Sequence, residues 1–244
     1  MTDPDDRPDP AHPAVRLVGA GRRFGAVTAL HPLDLDIAAG ASVALIGHNG
    51  SGKSTLLQLV AGHLRPSEGR VEVEGHDLTT ATGRQHARRH VAVGGATGAF
   101  YPDLTVAEHL ELVAIAHELN DAADRVESML VQQGLDARRD ALPAQLSTGM
   151  RQKLDLALAF LRPTGLLLLD EPDRGLDPAA REALWTEVAS RREAGTTLLL
   201  ASHHPAELEH LVDEVLLLEF GEVLERGPLD EIRRTEAARR LGLT

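Results

Sequence analysis

The spacing of apolar and polar residues changes period twice along the chain. Apolar residues crowd together at 15–19 and at Ser42–Ile46, the second run following the turn Ala39-Gly40, and both runs predict strands. Residues 52–62 carry helical spacing that stops on a glycine and predict a short helix. Val71, Glu72, Val73 and Glu74 alternate apolar and charged side chains up to Gly75, as a half-exposed strand does, and a further short strand is expected at 91–93. From 105 to 161 the period is helical. Thr105 with Glu108 three residues later predicts a capping box, a second helix covers about 122–133, and a third covers about 148–161 ahead of Pro163. Strand and helix then alternate again. Leucines 166–169 predict a strand covered on both faces, 178–194 a helix, and 197–201 another buried strand. Residues 214–218 and 222–224 flank Phe220-Gly221 as a tight hairpin, and a C-terminal helix is expected over 229–244. The sum is an α/β core interrupted by a helical lobe at about 97–161.

Composition narrows the function classes. At 43% hydrophobic, the 244 residues can bury a sizeable core, but aromatics at 2% leave that core to Leu, Val, Ile and Ala. Cysteine is absent, which excludes disulfides, thiolate metal sites and a cysteine nucleophile. A net charge of −12 argues against nucleic acid as a partner, which calls for a basic face. No apolar run approaches the ~20 residues needed to span a bilayer, and no secretion signal is expected. Residues 1–13, rich in Asp and Pro, are expected to be a disordered tail.

The chemistry begins where the second strand ends. Gly47-His48-Asn49-Gly50-Ser51-Gly52-Lys53-Ser54-Thr55 is a phosphate loop placed between strand and helix. Its glycines let backbone N–H groups converge on one phosphate chain, and the helix start adds its positive dipole end. Lys53 supplies a point charge for the outer phosphates, and Ser54 an oxygen for magnesium. The expected ligand is therefore a nucleoside triphosphate with Mg2+. The leucine strand ends in Asp170-Glu171, at the end of a parallel sheet that faces ligand crevices. Asp170 suits the metal, and Glu171 suits the base that polarises an attacking water. Leu146-Ser147-Thr148-Gly149-Met150-Arg151-Gln152-Lys153 reads locally as a capped helix start, which is itself an anion site.

Phosphate loop, Ser147–Gln152 run and Leu166–Pro172 run occur in that order, and together they resemble the ATP-binding cassette (ABC) transporter family over about residues 15–227. The resemblance implies a P-loop NTPase (RecA-like) α/β core with an antiparallel β subdomain and the helical insert, an ABC ATPase domain at 14–228. It implies an ATP-hydrolysing subunit on the cytoplasmic face of the cell membrane, bound to a separate membrane-spanning permease. Two copies would sandwich ATP, each site joining one copy's phosphate loop to the Ser147 and Gly149 segment of the other, and hydrolysis would separate them. Phe24 falls where the family stacks an aromatic on adenine, and Asp177, within Gly175-Leu176-Asp177-Pro178, where its loop crosses the dimer interface. Asp177 also reads as the cap of the helix that Pro178 opens. His203 matches the switch histidine that contacts the γ-phosphate and holds water. The run Phe100-Tyr101-Pro102-Asp103-Leu104-Thr105-Val106 resembles exporter-type subunits.

One departure stands out. The family carries a Gln after the strand at 91–93 that contacts magnesium and water; here the position falls on Ala96, which offers no side-chain oxygen. Gln85 precedes the strand and is a poor substitute. Weaker metal coordination and an unequal pair of cassettes are the expectations this raises. A soluble cassette ATPase without transport, and a regulator that barely hydrolyses, are the rival classes.

Overall fold

The structure, a computed structural model, describes residues 12–95, 99–202 and 205–240. Most of the expected tail, Ala96, His203 and the last four residues lie outside the described residues. The chain opens with β1 (Val15–Phe24), β2 (Val27–Ile37) and β3 (Ser42–Ile46), then α1 (Lys53–Val60), β4 (Glu68–Val73), β5 (His76–Asp77), α2 (Ala81–His90) and β6 (Val91–Gly94). Three helices follow, α3 (Val106–Ala116), α4 (Ala122–Gln132) and α5 (Thr148–Phe160). The remainder is β7 (Leu166–Asp170), α6 (Pro178–Glu193), β8 (Thr197–Ser202), β9 (Glu214–Glu219), β10 (Glu222–Gly227), α7 (Leu229–Ile232) and α8 (Glu236–Arg240).

Two sheets form. An antiparallel sheet has the order β2-β1-β4-β5, and a larger one the order β10-β9-β3-β8-β7-β6. In the larger sheet β9, β3, β8, β7 and β6 run parallel, with β10 antiparallel at the edge. Period two explains its unbroken apolar runs. Ala44, Ile46, Leu167, Leu169, Leu198, Leu200, Val215 and Leu217 face a core shared with α3, α4, α5 and α6. Val43, Leu45, Leu166, Leu168, Leu199, Ala201, Leu216 and Leu218 face a second core under α1 and the antiparallel sheet.

The expected capping box is present: Thr105 Oγ1 accepts from the Glu108 N–H at 3.3 Å, and Glu108 accepts from the Thr105 N–H at 2.7 Å. The expected hairpin turns on Phe220 and Gly221 with φ of 48° and 83°, both left-handed, so the turn twists as its strands do. Three features differ from the sequence expectation. The first strand extends to Phe24 and pairs with β2, which the apolar pattern did not announce because Pro32 interrupts it; β2 is an edge strand, where a missing N–H is tolerated. The helix α2 has almost no apolar face, burying only Gly83 and Ala87, and so gave no helical period. The expected C-terminal helix is two short ones. Thr235 accepts from the Ala238 N–H at 3.1 Å, restarting the helix after Ile232.

Candidate functional site

The register gathers the chemistry on one sheet edge. Ile46 of β3 pairs with Ser202 of β8, and Ala201 of β8 pairs with Asp170 of β7. The phosphate loop, the Asp170-Glu171 pair and Ser202 therefore lie at adjacent strand ends. The expected switch residue, His203, lies outside the described residues.

The loop itself is held by backbone on every side. A Cβ at Gly47 would lie 2.2 Å from Leu218 O and 2.5 Å from Ser51 Oγ, so only glycine fits. Gly52, with φ 108°, sits under Ala29 O and Gly221 Cα. The Gly221 N–H donates to Ser51 O at 2.9 Å, and the His31 N–H to Gly221 O at 2.8 Å. The β9–β10 turn and the β2 edge thus buttress the loop, a role no sequence motif signalled. His48, Asn49 and Gly50 are exposed at the loop's rim, whereas Ser51 and Gly52 are buried. The Ser51 hydroxyl is buried with no hydrogen-bond partner among the described residues.

Lys53 opens α1 and is only 4% exposed. Its ammonium donates to Gly47 O at 2.7 Å and His48 O at 3.0 Å, curling over the loop that the phosphates need. Burial lowers its pKa, while Glu171 and Asp170 pull the other way, which places both acids electrostatically in reach. Ser54 beside it is exposed and Thr55 half-buried. A hydroxyl and a carboxylate are oxygen donors with no nitrogen or sulfur, the set that suits a hard cation such as Mg2+. Glu171 carries φ 49°, a left-handed backbone rare for a non-glycine, and its N–H donates to Ala201 O at 2.9 Å. The strand end turns sharply there and is tied to β8.

The other expected phosphate-contacting residues, Ser147 and Gly149, lie at the start of α5. Ser147 is exposed and caps α5, accepting from the Met150 N–H at 3.2 Å. Three links fasten this helix start to the segment after Glu171. Gln152 Nε2 donates to Pro172 O at 2.9 Å, Lys153 Nζ reaches Asp177 Oδ2 at 3.4 Å, and a Cβ at Gly149 would lie 2.7 Å from Gly175 O. Asp177 also caps α6, accepting from the Ala180 N–H at 2.9 Å, and that N–H, followed by Lys153, holds its carboxyl below the usual range. The capping reading of Asp177 therefore describes a contact it makes, beside the ion pair with Lys153.

Gln152, which ends the Ser147–Gln152 run, and Asp155, which no motif flagged, join these parts. Gln152 is buried beneath the helix tip. Asp155, one turn along α5, accepts from the Gly95 N–H at 2.5 Å, at the last described residue before Ala96. Burial pushes the Asp155 carboxyl up to about 6, with the Gly95 N–H opposing. The signal in the sequence was an acid set between Leu154 and Leu156. Phe24 stands apart, at the end of β1: it is 46% exposed, and the Arg22 guanidinium carbon lies 4.4 Å from its ring centroid.

Residues 30–174 match the protein-family profile described as ABC transporter. A daunorubicin resistance ATP-binding protein of Streptomyces coeruleorubidus is 35% identical over 91% of this chain and 71% of its own length. A sulfate/thiosulfate import ATP-binding protein of Chromobacterium violaceum is 36% identical over 89% of this chain and 59% of its own. A solved structure of the ATP-binding subunit of an ABC transporter superposes with a TM-score of 0.82 at 34% identity, covering 94% of each chain.

Proposed function

The chain belongs to the ABC transporter family, and on that premise we propose that its site clasps ATP between two copies and powers a separate membrane-spanning permease. It is an ATP-binding and ATP-hydrolysing subunit of that family. The observation that carries the reading is the division of the site. The phosphate loop with Lys53 is one half; the Ser147 helix tip, fastened to Pro172, Gly175 and Asp177, is the other.

The roles follow from the chemistry of each group. Amides of Gly47 to Thr55 hold the phosphate chain, and Lys53 exchanges its two carbonyl partners for the outer phosphates. Phe24 presents a ring face for the adenine. Ser54 and Asp170 are the oxygen ligands for Mg2+, which when bound neutralises developing charge on the phosphates. Glu171 takes the proton of the attacking water, and His203 orients that water and the γ-phosphate. Ser147 and Gly149 of a second copy complete the donor set, and Asp177 lies at the same junction.

No helix among the described residues is long and apolar enough to cross a membrane. A docking face for the permease is supported by the helical lobe, where Leu112, Ile115 and Val131 are exposed, the last two at 73% and 67%. The nearby 99–105 segment is firmly placed, because His109 Nε2 accepts from the Tyr101 N–H at 3.0 Å and its Nδ1 lies 2.7 Å from Thr105 O. We assign export as the direction. The 100–106 run and the daunorubicin resistance relative support it; the import relative is as similar overall, so the weight rests on the run.

Steady-state ATP hydrolysis by the purified chain tests the reading. Magnesium-dependent turnover that rises when the permease is supplied is the expected result. An inert chain that also fails to bind ATP would contradict it. Inside-out vesicles carrying the complex should accumulate cargo on addition of ATP; accumulation only in right-side-out vesicles given ATP inside and cargo outside would reverse the direction.

A further inference from the structure

A cluster of imidazoles lies away from the nucleotide edge, where the antiparallel sheet meets α2. His86 Nε2 lies 2.8 Å from Glu74 Oε2, and His90 Nδ1 lies 3.6 Å from the same oxygen. One ligand atom from each of Glu74, His86 and His90 falls within 4.8 Å of the others. His76 stacks on His86 with centroids 3.7 Å apart, and His86 on His90 at 4.0 Å. The Glu74 side chain is 8% exposed and that of His86 14%. A Cβ at Gly165 would lie 2.7 Å from Glu74 Oε1, so the glycine there leaves room for the carboxylate.

Three stacked imidazolium rings would repel one another, and burial, first among the causes, lowers the His86 pKa while the Glu74 contact opposes it. Neutral imidazole is the ligand form. Two histidines four residues apart on one helix, joined by a carboxylate from a neighbouring turn, form a nitrogen and oxygen donor set of borderline softness.

We propose that Glu74, His86 and His90 form a binding site for a divalent transition metal of the zinc class. Tetrahedral zinc holds its ligand atoms about 3.3 Å apart, close to the spacing present. Rings 7° from parallel and stacked cannot both hold one ion in their planes, so binding turns one imidazole about its side-chain torsion. The ion takes the place of the hydrogen between His86 Nε2 and Glu74 Oε2, and the neutral imidazole keeps its one proton on Nδ1. The fourth position is left to water or to His76. The site ties the hairpin of β4 and β5 to the last turn of α2, directly ahead of β6 and the Ala96 segment. It is independent of the nucleotide reading.

The test titrates the untagged full chain, free of nucleotide, with Zn2+ against a chromophoric chelator, and with Co2+ for its visible absorption. One ion per chain is expected, with tetrahedral cobalt bands and a rise in Tm of about 5 °C at saturating zinc. His86→Gln and His90→Gln should each weaken binding by at least about tenfold, and His117→Ala should leave it unchanged. Imidazole NMR of the wild-type chain supplies a reading that needs no variant: zinc should shift the His86 and His90 nitrogens. No stoichiometric binding, wild-type affinity in both variants, or imidazole shifts confined to other histidines would overturn the proposal.

Discussion

Lys53 is the residue whose surroundings say most about the ligand. A buried ammonium satisfied by two carbonyls of its own loop has its charge in place before any phosphate arrives. Lys53→Ala removes a charge-assisted contact worth about 3 kcal/mol, so ATP affinity should fall about a hundredfold in a fluorescent-nucleotide titration. Affinity close to wild type would contradict the assigned role. Ala96 makes the opposite kind of prediction. Supplying the absent side-chain oxygen with Ala96→Gln should raise turnover at limiting magnesium; identical magnesium dependence of the ATPase rate in the two proteins would remove the idea that this position matters. The residues with chemical motifs were legible because their spacing is set by backbone approach to phosphate, as at Gly47. Asp155 was not, nor was the partner of Gln152, because each contact is made to a backbone group distant in sequence, Gly95 N–H and Pro172 O.

Among the elements, α5 links the chain's two half-sites, since its tip carries Ser147 and its second turn touches the segments that follow β6 and β7. Gly149→Ala would press a Cβ onto Gly175 O, a backbone atom that yields only if the loop shifts, at about 1–3 kcal/mol. ATP binding by the single chain should persist while ATP-driven pairing weakens by about tenfold or more, read by analytical ultracentrifugation. Unchanged pairing would show that the helix tip does not need this close approach. Asp155 gives α5 a pH signature. Its folded pKa, raised to about 6, exceeds the unfolded value of 3.8, so between them the folded chain binds more protons. Stability contributed this way is present at low pH and is lost as pH rises through about 6, a loss of about 3 kcal/mol when complete. Denaturant unfolding of wild type against Asp155→Asn should show the variant gaining relative stability from pH 5 to pH 8; parallel curves would contradict the buried-acid account. Strands and helices with an apolar period were readable in advance, such as the leucine strand of β7. The edge strand β2 was hidden by Pro32, and the polar helix α2 by its lack of an apolar face; both are held by tertiary packing instead of pattern.

For the whole molecule, the proposed function divides the site between the phosphate loop of one copy and the α5 tip of another. A triphosphate that bridges two copies stabilises their association, and hydrolysis removes the bridge, which is how a motor can work a permease. Under the proposed function, the exposed Leu112, Ile115 and Val131 of the helical lobe are the face for that permease. The most direct measurement is the mass in solution of Glu171→Gln with saturating MgATP, by size-exclusion chromatography with light scattering. Turnover should fall about 10²–10⁴-fold, ATP affinity should stay near wild type, and the chain should run as a dimer that reverts to monomer without nucleotide. A variant that binds ATP fully and remains a monomer would contradict the two-copy site.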